Sequence, residues 1–301
     1  MKKAYLQMHI AILLWGFTAI LGKLIVLDEG MLVWYRMGIA SISTLIFVLI
    51  SRASLKLTQK EIINLVGISF LITLHWITFY GAIKASNVSI AISCFSSIAL
   101  FTALLNPIIN RVNINRNEII LGCGVVLGIG IIFSLQQFYW KGILLALTSA
   151  FLGALFTILN KNVSEKLDPA SITFYELFFG FILLSLMLPL WFRINTSSFS
   201  IPSNLDWRYL IILAVACTTL PFTLSMHSMK KLDAFTMNLT LNLEPLYSII
   251  LAIVLFHEDK TLGFRFYLGT AIILITVLWH GYTRISNLLD KKILDEKYRY
   301  D

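Results

Sequence analysis

Ten apolar stretches, each about as long as a bilayer core is thick, limit what this chain can fold into. They cover residues 5–26, 32–51, 63–83, 88–109, 117–135, 141–161, 171–192, 207–228, 235–256 and 263–283. A transmembrane helix needs about 20 mostly apolar residues. Hydrophobic residues make up 58% of the 301 positions and charged residues only 13%, well below the share in soluble domains. The sequence therefore predicts an all-α membrane protein with ten transmembrane helices.

The basic residues outside these spans predict the orientation. With the N-terminus inside, most Lys and Arg residues fall in the inner connections and in the tail. Because inner loops of membrane proteins are enriched in Lys and Arg, both termini are predicted to be cytoplasmic in a multi-pass protein of the cell (inner) membrane. The net charge of +8 then records orientation and does not call for a nucleic-acid partner. Residues 287–301 are predicted to form a cytoplasmic tail.

Several classes of site have no signal in this sequence. Cys94, Cys123 and Cys217 are scattered singly in apolar runs, which indicates buried small residues and neither a disulfide nor a metal site. The sequence His257-Glu258-Asp259 is interpreted as the acidic end of a helix. No catalytic motif or phosphate-binding loop is present. We therefore predict no enzyme activity, no metal and no cofactor.

The two halves of the chain, residues 1–136 and 137–286, resemble each other. Tyr35-Arg36 aligns with Tyr175-Glu176, and Lys23, Leu121-Gly122 and Ala82-Ile83-Lys84 also have counterparts in the second half. In this alignment Ser97-Ile98 falls at the place of Glu244-Pro245. Five spans per half is an odd number, so the second half would enter the membrane from the opposite side. This predicts two inverted five-helix repeats, an arrangement typical of secondary transporters.

Several short motifs, in the same order, connect the chain to a known family. They are Trp15-Gly16 with Lys23, Tyr35-Arg36, and Leu243-Glu244-Pro245 followed by His257-Glu258. Over nearly its whole length the sequence resembles the drug/metabolite transporter (DMT) superfamily, specifically the EamA-type transporters with ten helices. The first half departs from the pattern, since Ser97-Ile98 replaces the Glu-Pro pair. The resemblance implies export or exchange of small metabolites, often amino acids, through a central cavity lined by both repeats.

Glu244 is the main candidate residue because it places a carboxylate near the middle of a predicted span. Charges at this depth are costly and usually functional, so Glu244 could bind substrate or carry a coupling proton. The alternative is a structural carboxylate tied to a neighbouring helix. Pro245 predicts a helix kink. Asn242 lies about 200° around a straight helix from Glu244, so only a bend would bring both side chains into one cavity.

The other candidates carry the same ambiguity. His75, Trp76 and Tyr80 in the third span could relay protons or stack on a substrate, or His75 could be a neutral interhelical hydrogen-bonding group. Trp15 and Thr18 are cavity candidates through the resemblance alone.

Arg36 and Glu176 occupy equivalent positions in the two halves. Arg36 is interpreted as a side chain that snorkels to the interface, and Glu176, which is too short to do so, as a candidate for substrate binding or coupling. A direct pair between the two is not expected. The glycines at 122, 124, 128 and 130 indicate close helix packing, either against the tenth span or in a homodimer.

These features predict a secondary transporter that exports small metabolites such as amino acids by alternating access. Its partners would be a small-molecule substrate and the lipid bilayer, with proton coupling as a hypothesis. The alternatives are an uncoupled facilitator and, less favoured, a membrane assembly component without transport activity. The last would lack a cavity between the halves.

Overall fold

The structure, a computed structural model, describes residues 2–133, 139–244, 247, 251, 254, 263–276, 278, 279 and 282. Its regular elements are α1 (Lys2–Leu24), α2 (Glu29–Ser51), α3 (Gln59–Ala85), α4 (Val88–Phe95), α5 (Ile98–Asn110), α6 (Arg116–Phe133), α7 (Trp140–Ser164), α8 (Pro169–Asn195), α9 (Asn204–Ala214), a π-helical turn (Val215–Thr219), α10 (Leu220–Met229), α11 (Ala234–Leu241) and α12 (Phe264–Thr276). Every predicted span overlaps one of these helices. The predicted fold class, an all-α membrane protein, is confirmed.

Within the described residues, seven helical stretches are long and apolar enough to cross a membrane by length and composition. They are α1, α2, α3, α4 with α5, α7, α8, and α9 through α10. Three features predicted from the sequence, the kink at Pro245, the segment His257-Glu258-Asp259 and the tail 287–301, lie outside the described residues.

Polar residues in the short connections determine where the helices begin. The Asp28 carboxylate accepts a hydrogen bond from the amide of Met31 and caps α2. Thr58 and Glu61 form a reciprocal capping box at the start of α3. The Asn87 side chain caps α4, so the chain does turn between Ala85 and Val88. Each cap satisfies backbone N–H groups that have no partner within the helix.

The helices of the two halves pack mainly against each other. The closest pairs are α3 with α7, α2 with α8 and α1 with α10, and each joins a helix before residue 136 to one after it. Hydrogen bonds link the halves at both ends of the bundle. At the end where α1 finishes, the Val26 amide donates to Asp206; at the opposite end, Ser171 donates to the Ser54 carbonyl. The halves therefore enclose a common central space.

Two of the four glycines of α6, Gly124 and Gly128, lie against α12 of the same chain, whereas Gly122 lies against Leu100 of α5. A Cβ at Gly128 would lie 2.7 Å from the Gly269 carbonyl oxygen, and one at Gly124 would lie 2.6 Å from Thr276 Cγ2. This contact matches the predicted packing against the tenth span and gives no support to a homodimer through this face. Cys123, between Gly122 and Gly124, is exposed, so the prediction of three buried cysteines was wrong for this one; Cys94 and Cys217 are buried.

Candidate functional site

Two short helices, α4 and α11, lead to the central cavity and are built alike. Helices α4 and α11 each contain eight residues. Each begins at an Asx cap, Asn87 or Asp233. Each ends in a tight turn. After α4 the Ser97 amide donates a hydrogen bond to the Cys94 carbonyl oxygen, and after α11 the Leu243 amide donates to the Thr240 carbonyl oxygen. Such i→i−3 bonds overtwist the chain and change the direction of the residues that follow.

The first residues after these turns are Ile98 and Glu244, and both side chains line the central cavity. This register corrects the sequence alignment, which placed Ser97 opposite Glu244. Since helix lengths, caps and turns coincide, the counterpart of Glu244 is the apolar Ile98. The turn also decides which of the polar residues face the cavity. Asn238 and Glu244 both line it, whereas Asn242 is buried outside it.

The central cavity spans about 700 Å³, including the part of it that is open to solvent. Residues before and after position 136 both contribute to its wall: Met8, Trp15, Thr18, Arg36, His75, Trp76, Phe79, Phe95, Ile98, Phe156, Thr157, Phe222, Ser225, Met226, Met229, Met237, Asn238, Leu241 and Glu244. Most of the wall is aromatic or thioether surface. Five residues predicted from the sequence, Trp15, Thr18, His75, Trp76 and Glu244, lie together in it.

His75 is held by the facing helix α7. Its Nδ1 lies 2.9 Å from the Ser149 carbonyl oxygen, and the Ser149 hydroxyl donates to the His75 carbonyl oxygen at 3.0 Å. The ring centroids of Phe95 and Phe156 lie 5.4 and 5.3 Å from that of the imidazole. With Nδ1–H donating to the carbonyl, Nε2 is the acceptor nitrogen. His75 thus forms the interhelical contact of the structural alternative and also faces the cavity.

Arg36 is the cavity residue whose role the sequence interpretation missed. The side chain is 1% exposed, so the prediction that it snorkels to the interface was wrong. The predicted span began at residue 32, whereas the Asp28 cap starts α2 at Glu29. Arg36 is therefore seven residues into the helix, about 10 Å from its end. The Asp28-Glu29 pair, a typical helix start, was the signal that could have shown this depth.

The guanidinium of Arg36 is fixed by three neighbours. Its Nη1 donates to the Tyr80 hydroxyl at 2.7 Å and its Nε to Thr218 Oγ1 at 2.8 Å. Its Cζ lies 3.8 Å from the centroid of the Trp76 ring, a cation–π stack. Tyr80 does not line the cavity; it is buried behind Arg36 and positions it.

Thr218 reaches Arg36 because the chain makes a π-helical turn at Val215–Thr219. Pro221 has no N–H, so the α-helical bond to the Cys217 carbonyl cannot form there. The Leu220 amide instead bonds the carbonyl of Val215, five residues back. The Thr218 hydroxyl donates to the Leu213 carbonyl oxygen at 2.6 Å and thereby turns its oxygen lone pairs to Arg36. Such π-turns are frequent at functional sites.

Glu176 lies outside the cavity. It is fully buried, and among the described residues neither carboxylate oxygen has a hydrogen-bond partner of good geometry. The neighbouring polar side chain is Asn160, whose amide atoms are likewise buried without hydrogen bonds of good geometry. Asn160 is one helical turn along α7 from the cavity residue Thr157. Glu176 and Arg36 form no pair, as expected from the sequence.

A bundle of apolar helices around a cavity built from both halves defines the class of a polytopic membrane transporter. The EamA-like transporter family matches residues 2–134 and again residues 140–282. The chain belongs to this family.

Two relatives from Bacillus subtilis (strain 168) carry transporter names. The chain is 24% identical to the uncharacterized transporter YxxF over 231 residues, which cover 73% of this chain and 72% of the relative. It is also 24% identical to the uncharacterized transporter YetK over 291 residues, covering 90% and 84%. A solved crystal structure superimposes with a TM-score of 0.69 at 15% identity, covering 91% of this chain and 95% of the other. That last likeness concerns the fold alone.

Proposed function

We propose that this transporter is a secondary carrier that exports small amphipathic metabolites, with amino acids as the expected class, by alternating access. The observation that carries the proposal is the central cavity of about 700 Å³ with walls from both halves. A cavity at the contact between two halves can open to either side when the halves rock against each other. A membrane assembly component without transport activity would be packed tightly between its halves and would contain no such cavity. We place the carrier in the cell inner membrane with both termini cytoplasmic.

An inverted two-fold relation between the halves is part of this proposal. Tyr35 near the start of α2 donates to the Ser200 carbonyl after α8 at 3.2 Å. Tyr175 near the start of α8 donates to the Leu55 carbonyl after α2 at 2.7 Å. These equivalent contacts lie at opposite ends of the bundle. Two further contacts are equivalent in the same way. Helix α1, the first of its half, packs on α10 in the third span of the other half, and α7, the first of the second half, packs on α3 in the third span of the first. This reciprocity supports two inverted repeats.

We further propose that Glu244 is the coupling group of the carrier. It is 6% exposed and lines the cavity, within electrostatic range of Arg36. Because a buried carboxylate is costly at this depth, it would exchange a proton as the cavity changes sides. His75, held at Nδ1 by Ser149, is the second candidate.

Glu244→Gln tests the coupling. In liposomes, a coupled carrier is expected to lose transport driven by a pH gradient while the substrate still equilibrates. Glu165→Gln, at an exposed carboxylate on the loop after α7, is the control and is expected to behave as the wild type. Gradient-independent transport by the wild-type protein would contradict coupling and favour an uncoupled facilitator.

The transport function itself is tested by comparing metabolites in the culture medium and cytosol of cells with and without the expressed protein. We expect one or a few amphipathic metabolites, amino acids among them, to accumulate in the medium several-fold. Identical metabolite profiles at equal membrane levels of the protein would contradict export.

A further inference from the structure

Arg36 is a cation that the protein holds in place without neutralising it. Among the described residues no carboxylate forms an ion pair with it, and its polar contacts are the hydroxyls of Tyr80 and Thr218. These contacts use Nε and one N–H of Nη1. Removing a guanidinium from water is costly unless its hydrogen bonds and charge are compensated. The cation therefore keeps hydrogen-bonding capacity for an anion inside the cavity.

The support behind Arg36 is rigid. Tyr80 packs directly on Gly22, where a Cβ would lie 2.3 Å from Tyr80 Cε1, so only glycine leaves room for the ring. The indole of Trp76 covers one face of the guanidinium, and Phe222 packs edge-on against that indole at 5.5 Å. A guanidinium group that is already ordered loses little conformational entropy when it binds a ligand.

The cavity wall around Arg36 is suited to the apolar part of a ligand. Trp15 packs edge-on against Phe222 at 5.8 Å, and both line the cavity with Phe79. Met226 and Met237 add flexible thioether surface, which adapts to ligands of different shape. Glu244 lies in the same cavity within electrostatic range of Arg36, without a direct ion pair between them.

The geometry points to Arg36 as the anchor for a carboxylate group of the transported compound. The inference rests on the proposed carrier function and names its substrate class: carboxylates with a large apolar or aromatic group. A guanidinium fork matches a carboxylate in two parallel hydrogen bonds. The apolar group lies against the aromatic and thioether wall. Glu244 lies in the same cavity, where its carboxylate, or the amide oxygen of a glutamine at this position, can accept a hydrogen bond from the ammonium group of an amino acid.

The test uses the full-length protein in lipid nanodiscs and two ligands of equal shape, 3-phenylpropionate and 3-phenylpropanamide. The fluorescence of Trp15 and Trp76 reports binding, since both line the cavity. We expect the carboxylate to bind at least tenfold more tightly than the amide, because the amide cannot pair with the charge. Phenylalanine is expected to bind at least as well as 3-phenylpropionate.

Arg36→Gln is expected to remove the preference for the carboxylate. Arg36→Lys is expected to retain only part of it, because lysine cannot form two parallel hydrogen bonds with a carboxylate. Thr218→Val keeps the guanidinium and loosens its position, so a several-fold loss is expected even if Arg36→Gln folds poorly. Equal binding of the two ligands by the wild type, including binding of neither at millimolar concentration, would overturn the inference. So would a preference that survives Arg36→Gln.

Measurements of binding and of transport distinguish the carrier function from the role of Arg36 as the carboxylate anchor. A carboxylate preference that depends on Arg36, in a protein that changes no metabolite in the medium, would contradict the carrier function and leave the anchor in place. Export of metabolites without any effect of Arg36→Gln on carboxylate binding would overturn the anchor alone.

Discussion

The substitution Glu176→Lys is expected to reduce the amount of folded protein in the membrane several-fold, whereas Glu176→Gln is expected to leave it unchanged. The carboxyl group is fully buried between helices and, within the part of the chain that the structure describes, has no hydrogen-bond partner of good geometry. A lysine at this depth costs roughly 2.5–3.5 kcal/mol. Glutamine keeps the size of glutamate, carries no charge, and can donate to the Asn160 carboxamide oxygen.

Membrane-extracted protein that runs as a single species in size-exclusion chromatography, normalised to total expression, measures this effect. Melting of the purified Glu176→Gln protein should occur at or above the wild-type temperature. If the glutamine variant is as poorly folded as the lysine variant, the ionised carboxylate is required, and a bound cation or an undescribed partner must compensate its charge.

Gly128→Leu is expected to separate α6 from α12 and to destabilise the protein by about 1–3 kcal/mol, the usual cost of overpacking. The glycine is buried, and a Cβ would meet the Gly269 carbonyl oxygen at 2.7 Å and Ile273 Cγ1 at 2.8 Å. A backbone atom cannot move aside as a flexible side chain can. The helices would have to part along the whole contact.

Gly130→Leu is the matched control for this prediction. It changes the same residue type two positions further along α6, where the glycine is exposed and a Cβ would have no neighbour within 4 Å. Leucine is favourable in lipid and in a helix, so no loss of stability is expected. Thermal unfolding of both variants in the same detergent is the measurement. Equal melting temperatures would show that the α6–α12 contact contributes little.

The candidate site could be predicted only in part. Trp15, Thr18, His75, Trp76 and Glu244 were named from the sequence and lie in one cavity. Arg36 was misplaced because hydropathy started α2 one turn late, and the Asp28 cap makes the residue deeper. Tyr80 lies behind Arg36 and Glu176 lies outside the cavity. A helical period cannot separate a residue that faces a cavity from one that faces a neighbouring helix.

The sequence by itself determined that the chain is an all-helical membrane protein, which stretches contain its helices, and that it resembles the EamA-type transporters. The helical membrane class follows from span length and apolar composition, which act locally along the chain, and the resemblance rests on short motifs such as Trp15-Gly16 and Leu243-Glu244-Pro245. Only the tertiary structure decided that Glu244 corresponds to Ile98, because a tight turn before each residue resets the helical phase. The stack of Arg36 on Trp76 likewise depends on three elements far apart in sequence. Such contacts leave no local pattern in the sequence.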